Sequence, residues 1–229
     1  MAVLLRYLTA LEAGLDASAW MEPLTLAAAL MQARVEDDAG DAAHIAAFFI
    51  PGARQQAEAK TGSAIRPAKY RQTLDAFPWS GRDRNGFAPG APYSRSSVCR
   101  SIKTAHGLVQ SIDSISYIDP TGAVQTHDPV AYSLVKTDDA NTEIALTFGG
   151  TWPQVAAVAG AVTVDYTAGI APAEFSDRFP GVMQWLLLAV TWSYENRQLM
   201  STGTRDAYNT MPDSYIDSLL APITVSPGF

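Results

Sequence analysis

The chain has 229 residues, 48% of them hydrophobic and 17% charged, enough to bury a core in one large or two small domains. Its formal charge of −7 argues against a general nucleic-acid binder, which needs a surplus of Lys and Arg to neutralise phosphates, so any basic site must be local. A single cysteine, Cys99, excludes an internal disulfide framework and a thiolate-rich zinc site.

The N-terminal apolar run is interrupted by Arg6 and followed by Glu12 and Asp16, so no export signal is expected. Thr25 precedes LAAALMQARV, in which Leu26, Ala29, Leu30 and Ala33 share one face; a Thr at the N-cap satisfies an orphan amide, and the pattern predicts a helix of about ten residues. After the acidic turn at 36–41, Ile45, Phe48, Phe49, Ala53 and Ala57 predict a second helix, with Asp41 where the helix dipole favours an anion. Pro51 and Gly52 fall inside it, so a kink or restart is expected, and Lys60 and Gly62 mark its end.

From about residue 64 the apolar period becomes two, the mark of strands with one buried face. SISYIDPTGAVQT predicts a hairpin turning at Asp119-Pro120-Thr121-Gly122. Further strands are expected at 131–136 (Tyr132, Leu134), 143–148 (Ile144, Leu146, Phe148) and 161–167 (Val162, Val164, Tyr166), in a small, mostly antiparallel sheet. Residues 78–107, rich in Gly, Pro, Ser and Arg, read as a long flexible loop in which Arg82, Arg84, Arg95, Arg100 and Lys103 stand against Asp83 alone. Residues 178–200 form a helix apolar on nearly every side, suited to the centre of a bundle or to an interface. No apolar run, Trp185–Val190 included, approaches the roughly 18 residues of a membrane span. A short final helical segment runs up to Pro222, and ITVSPGF carries no side-chain charge.

The expected fold is α+β. Helices in 1–63 and 169–222 make a small bundle, 64–168 is a β-rich insertion carrying the basic loop 78–107, and 223–229 is a tail.

The run Tyr194-Glu195-Asn196-Arg197 offers acid, base and donor groups. Glu195 and Arg197, two apart on a helix, point about 200° apart and cannot face one substrate atom, whereas Tyr194 and Arg197 share a side. A structural role follows, with Arg197 near a helix C-terminus and its carboxylate partner elsewhere; the alternative is a small hydrolase or ligand-binding protein using Tyr194, Glu195 and Arg197. The acidic turn lacks the alternating oxygen ligands of a calcium loop, and Asp138 and Asp139 read as a hairpin turn. His44, His106 and His127 are too scattered for a metal triad, and Ser96, Ser97 and Cys99 lie in a loop that would hold a nucleophile's base poorly. No cofactor or metal is expected. The basic loop serves either solubility or contact with an acidic protein surface or with DNA phosphates.

Taken in order, EPLTLAAALMQARVEDD, the spacing of Ala53 to Gly62, SIDSISYIDPTGAVQTHDPVAYSL, Trp152-Pro153, VTVDYTAG, WSYENR and LLAP resemble the head-to-tail connector, or adaptor, family of tailed bacteriophages and gene transfer agents. The resemblance runs from about Glu22 to Pro222. It implies a structural virion protein without enzymatic activity, assembled in the bacterial host cytoplasm and located in the neck between capsid and tail. It implies a ring of about a dozen copies that docks beneath the portal protein, extends the DNA channel and receives the next tail or stopper protein. It implies portal contact through Leu219, Leu220, Ala221 and Pro222 and through the tail, where Ile223, Val225 and Phe229 suit a partner's groove. It gives WSYENR a bracing role: Trp192 and Tyr194 pack, while Glu195 and Arg197 reach different partners within the subunit or across the ring. Arg82, Arg84, Arg95, Arg100 and Lys103 would face the DNA-containing lumen or an acidic neighbour. The sequence departs from the family in the length of loop 78–107, in the Pro51-Gly52 interruption, and in Leu108, which stands where a proline is expected before the hairpin.

Overall fold

A computed structural model describes residues 4–7, 21–35, 39–78, 101–195 and 218–226. The fold is α+β, with antiparallel sheets in one compact unit (Met1–Leu15 with Ala68–Ala168) and helices in the other (Asp16–Pro67 with Gly169–Phe229).

In the sheet unit, β1 (Leu4–Tyr7), β2 (Ala68–Leu74), β4 (Val109–Ile118), β5 (Val124–Thr126) and β8 (Val162–Ala168) form a sheet in the order β1-β2-β8-β4-β5. β3 (Ile102–Lys103), β7 (Thr142–Leu146) and β6 (Tyr132–Lys136) form a second sheet in the order β3-β7-β6. There are thus two sheets where the sequence suggested one. On β2 the alternation places Ala68, Tyr70, Gln72 and Leu74 on the buried face, opposite Ala168, Tyr166, Val164 and Val162 of β8. On β4 the register shifts between Val109 and Ser111 and again between Ile112 and Ser114. Each shift inserts one residue, so the residues facing the core side recur every third position, at Val109, Ile112 and Ile115, rather than every second.

The outer face of the larger sheet is polar. Arg71 and Asp165, directly opposite on β2 and β8, form two parallel hydrogen bonds of 2.7 and 2.9 Å, and Asp113 meets Lys69 at 3.6 Å and accepts from Thr167. The expected hairpin is β4–β5: Gly122 turns at φ +90° and donates to the Asp119 carbonyl, while Asp119 Oδ1 accepts from the Thr121 and Ala123 amides.

Three expectations are corrected here. Leu4–Tyr7, placed within a helical N-terminal segment, is an edge strand paired with β2. Ile102–Lys103, placed inside the long loop, is a strand against Ile144 and Glu143; two residues are too few to show a period. Phe148, read as an inward strand residue, follows the end of β7 in a turn and is fully exposed.

In the helical unit, α1 (Leu26–Ala33) starts where Thr25 Oγ1 accepts from the Ala28 amide and buries Ala29 and Leu30. α2 (Ala39–His44) runs through a π-helical turn (Ile45–Phe49) into α3 (Ile50–Thr61). This is the answer to Pro51: the chain neither breaks nor restarts. Proline has no amide to give to an α-helical bond, and the preceding turn widens so that the Ile50 amide reaches back five residues to the Ile45 carbonyl. The added residue rotates the helical face. Ile45, Ala53 and Ala57 are buried as expected, but Phe48 is turned outward and is 64% exposed. α3 ends at Gly62, φ +72°, whose amide donates to the Glu58 carbonyl.

α4 (Pro172–Arg178) buries Phe175, and α5 (Pro180–Glu195) buries Val182, Trp185, Leu186 and Val190, packing against α1, α3 and the π turn. The expected 178–200 helix is described as far as Glu195.

Candidate functional site

At the C-terminal end of α5, Tyr194 donates from its hydroxyl to Asp41 Oδ2 at 2.6 Å and meets Phe49 edge-on, with ring centroids 6.5 Å apart. Tyr194 therefore ties α5 to α2 and the π turn. Trp192, expected to pack, is 58% exposed. Glu195 is exposed, and Arg197 lies outside the described residues. The acidic partner of Tyr194 is thus not a neighbour in sequence but Asp41, at the start of the second helix.

The C-terminal segment is packed against its own unit. Leu220 and Ile223 are 2% and 0% exposed, whereas Ala221 and Pro222 are exposed and Leu219 and Val225 half-buried. The Val225 amide donates to the Thr61 carbonyl at 2.8 Å, and Ser63 Oγ donates to the Ile223 carbonyl. Two of the apolar residues expected to meet the portal, Leu220 and Ile223, are therefore buried within their own unit. Phe229 lies outside the described residues.

The turn at 62–66 is bordered by an ion cluster drawn from separate parts of the chain. Arg54, 6% exposed, donates from Nε to Glu22 at 2.8 Å and from Nη1 to Glu58 at 2.6 Å. Arg66 Nη1 reaches Glu22 at 3.3 Å, and Glu58 Oε1 accepts from the Ile65 and Arg66 amides. A charge this deeply buried is tolerable only when paired and hydrogen-bonded. The cluster locks the turn 62–66 against which the C-terminal segment lies. The signal open to sequence reading was the i,i+4 spacing of Arg54 and Glu58 on α3.

In the sheet unit, Arg82, Arg84, Arg95 and Arg100 lie outside the described residues; Lys103 is exposed on β3, opposite Glu143. His106 packs against Tyr70 at 4.1 Å between centroids and shares a 2.9 Å hydrogen bond with the Tyr166 hydroxyl. Burial holds the His106 ring neutral down to about pH 4 and pushes the Tyr166 hydroxyl up out of its ordinary range. Gln72, buried beside them, donates to the Lys103 carbonyl and accepts from the Ala105 amide, so it fixes the approach to the small sheet. His127 lies between Tyr132 and Trp152, with Trp152 stacked on Phe77 at 4.7 Å; burial lowers the His127 pKa.

What the fold and these clusters define together is an α+β scaffold whose polar groups hold segments of the chain to one another. Over 99% of its length it is similar to a chain, itself 97% covered, in the structure "Neck of empty GTA particle computed with C6 symmetry", at 19% identity and a TM-score of 0.67. It is likewise similar to chains in "Virion of native gene transfer agent (GTA) particle" (17% identity, TM-score 0.64) and "Neck of native GTA particle computed with C12 symmetry" (17%, 0.60), each with the same coverage. This likeness establishes the fold. No protein-family model and no curated protein matches the sequence.

Proposed function

We propose that this chain is a structural virion subunit of the neck: a head-to-tail connector that closes into a ring on the portal, extends the DNA channel and offers the platform for the next tail or stopper protein. The observation that carries the reading is end-to-end similarity, with no large insertion on either side, to chains from neck structures computed with sixfold and twelvefold symmetry. The internal geometry supports it. A hydrolase or binding site built on Tyr194, Glu195 and Arg197 would need the Tyr194 hydroxyl, which Asp41 already binds, and Glu195 faces solvent.

In this reading the C-terminal segment meets the portal through its outward residues Ala221 and Pro222, supported from behind by buried Leu220 and Ile223, and the cations of 82–103 meet DNA in the channel or an acidic neighbour. Mixing the purified chain with its portal and imaging the product by electron microscopy tests the proposal. A ring of this chain stacked on the portal is the expected result. A chain that stays monomeric and unbound at every salt and protein concentration would remove the connector reading.

A further inference from the structure

Among the described residues, several apolar side chains at the outer face of the small sheet are exposed. Phe148 is 109% exposed relative to a free residue and Val130 79%, on either side of Thr147, whose hydroxyl donates to the Val130 carbonyl. Val135, on the edge strand β6, is 46% exposed and stands directly opposite Glu143 of β7. Between this face and the 147–151 turn lies an open cleft of about 600 Å³, with Phe148, Val135 and Ala145 as its apolar walls and Ser101 donating to Glu143 at 2.6 Å within it. An aromatic and two valines clustered in water are costly for a soluble subunit and mark a surface that another molecule covers.

The charge around the face selects the occupant. Residues 128–151 carry Asp128, Asp138, Asp139 and Glu143 against Lys136, and the strand β3 adds only Lys103, opposite Glu143. A twofold contact would set this acidic patch against itself, whereas a closed ring sets it against a different surface of the next copy. The same chain carries the opposite charge in one run, Arg82, Arg84, Arg95 and Arg100 against Asp83. We infer that the outer face of the β3-β7-β6 sheet, centred on Val135 and Phe148, is the surface on which the next copy of this chain docks within the ring, apolar at its centre and acidic at its rim. The inference rests on the connector reading and adds to it which surface makes the subunit contact.

The test compares wild-type chain with Val135→Asp/Phe148→Asp, both at exposed positions, and with Val124→Asp on β5, also exposed (73%) but outside the face. Each is assembled with the portal and followed by sedimentation velocity and negative-stain imaging, with circular dichroism to confirm the fold. The double variant should keep its fold and its binding to the portal as single copies yet lose ring closure, with association weakened at least about a hundredfold. Val124→Asp should close rings normally, and raising the salt should loosen wild-type rings as charge complementarity is screened. Rings of the double variant as stable as wild type would overturn the inference, whether the face then proves to carry another virion protein or to be covered by the chain's own residues. Wild-type chain that forms no ring at all would instead overturn the connector reading.

Discussion

At Gly169 the backbone leaves β8 with φ +98°, and a Cβ built there would stand 2.4 Å from the carbonyl carbon and oxygen of Arg66 and 2.5 Å from the Pro67 nitrogen. Those atoms are main chain and cannot rotate away. Gly169→Ala should therefore cost at least about 3 kcal/mol, combining a disfavoured conformation with a main-chain clash, as read by chemical denaturation; a cost below about 1 kcal/mol would mean that the 66–67 backbone gives way. His106 sets a pH dependence at the same scale. The folded ring takes a proton only near pH 4, whereas an unfolded histidine does so near 6.5, because burial withholds the water its charged form needs. Between those values the unfolded chain binds more protons, so stability from His106 is complete above pH 6.5, falls as the pH drops and is gone below about 4. The loss should reach at most about 3 kcal/mol, and His106→Gln should flatten that part of a stability–pH curve. A wild-type curve level from pH 7 to pH 4 would show that the ring is hydrated in solution.

Among the elements, the segment from α2 to α3 shows most clearly what a periodic pattern can and cannot say. Proline is incompatible with an uninterrupted α-helix, and the sequence marks where the interruption falls. That the chain would absorb it by a π turn, keeping the helix continuous while turning Phe48 to solvent, depends on what packs against it: Ile45 is fully buried, and the turn contacts α5. The strand β4 repeats the lesson, because its two bulges are invisible until the register with β8 is known. Leu108, which enters β4, has φ +60°, is buried, and donates its amide to the Asp139 carbonyl. The proline that the family resemblance led one to expect there could satisfy neither the dihedral angle nor the bond. In the helical unit, Arg54 joins Glu22, which precedes α1, to α3. Removing one partner of a buried ion cluster strands the others, so Arg54→Ala should lose about 3–5 kcal/mol. Thermal melting of the variant checks this; an unchanged midpoint would mean that Glu22 and Glu58 find solvent at no cost.

For the whole molecule the C-terminal segment poses the question of folding against assembly. Leu220 and Ile223 are core residues, so Ile223→Ala should lower folding stability by about 2–4 kcal/mol and reduce portal binding only through that loss. Pro222→Ser, at an exposed position, should leave stability within about 0.5 kcal/mol and so report on portal contact directly. Denaturation and portal pull-down on both variants separate the two; a stable Ile223→Ala chain that no longer binds would assign Ile223 to the partner's groove instead.

The sequence by itself determined the α+β class, the N-cap at Thr25, the stop at Gly62, the Asp119–Gly122 turn and most strands, because each follows from local stereochemistry or a short period within one segment. It also carried the family resemblance, through the order of its segments. Only the tertiary structure decided that Tyr194 answers to Asp41, that Arg54 and Arg66 share Glu22, that the C-terminal segment closes its own unit, and that Val135 and Phe148 are left bare. Those outcomes join residues far apart in the chain, and burial, which selects them, exists only once the segments have packed.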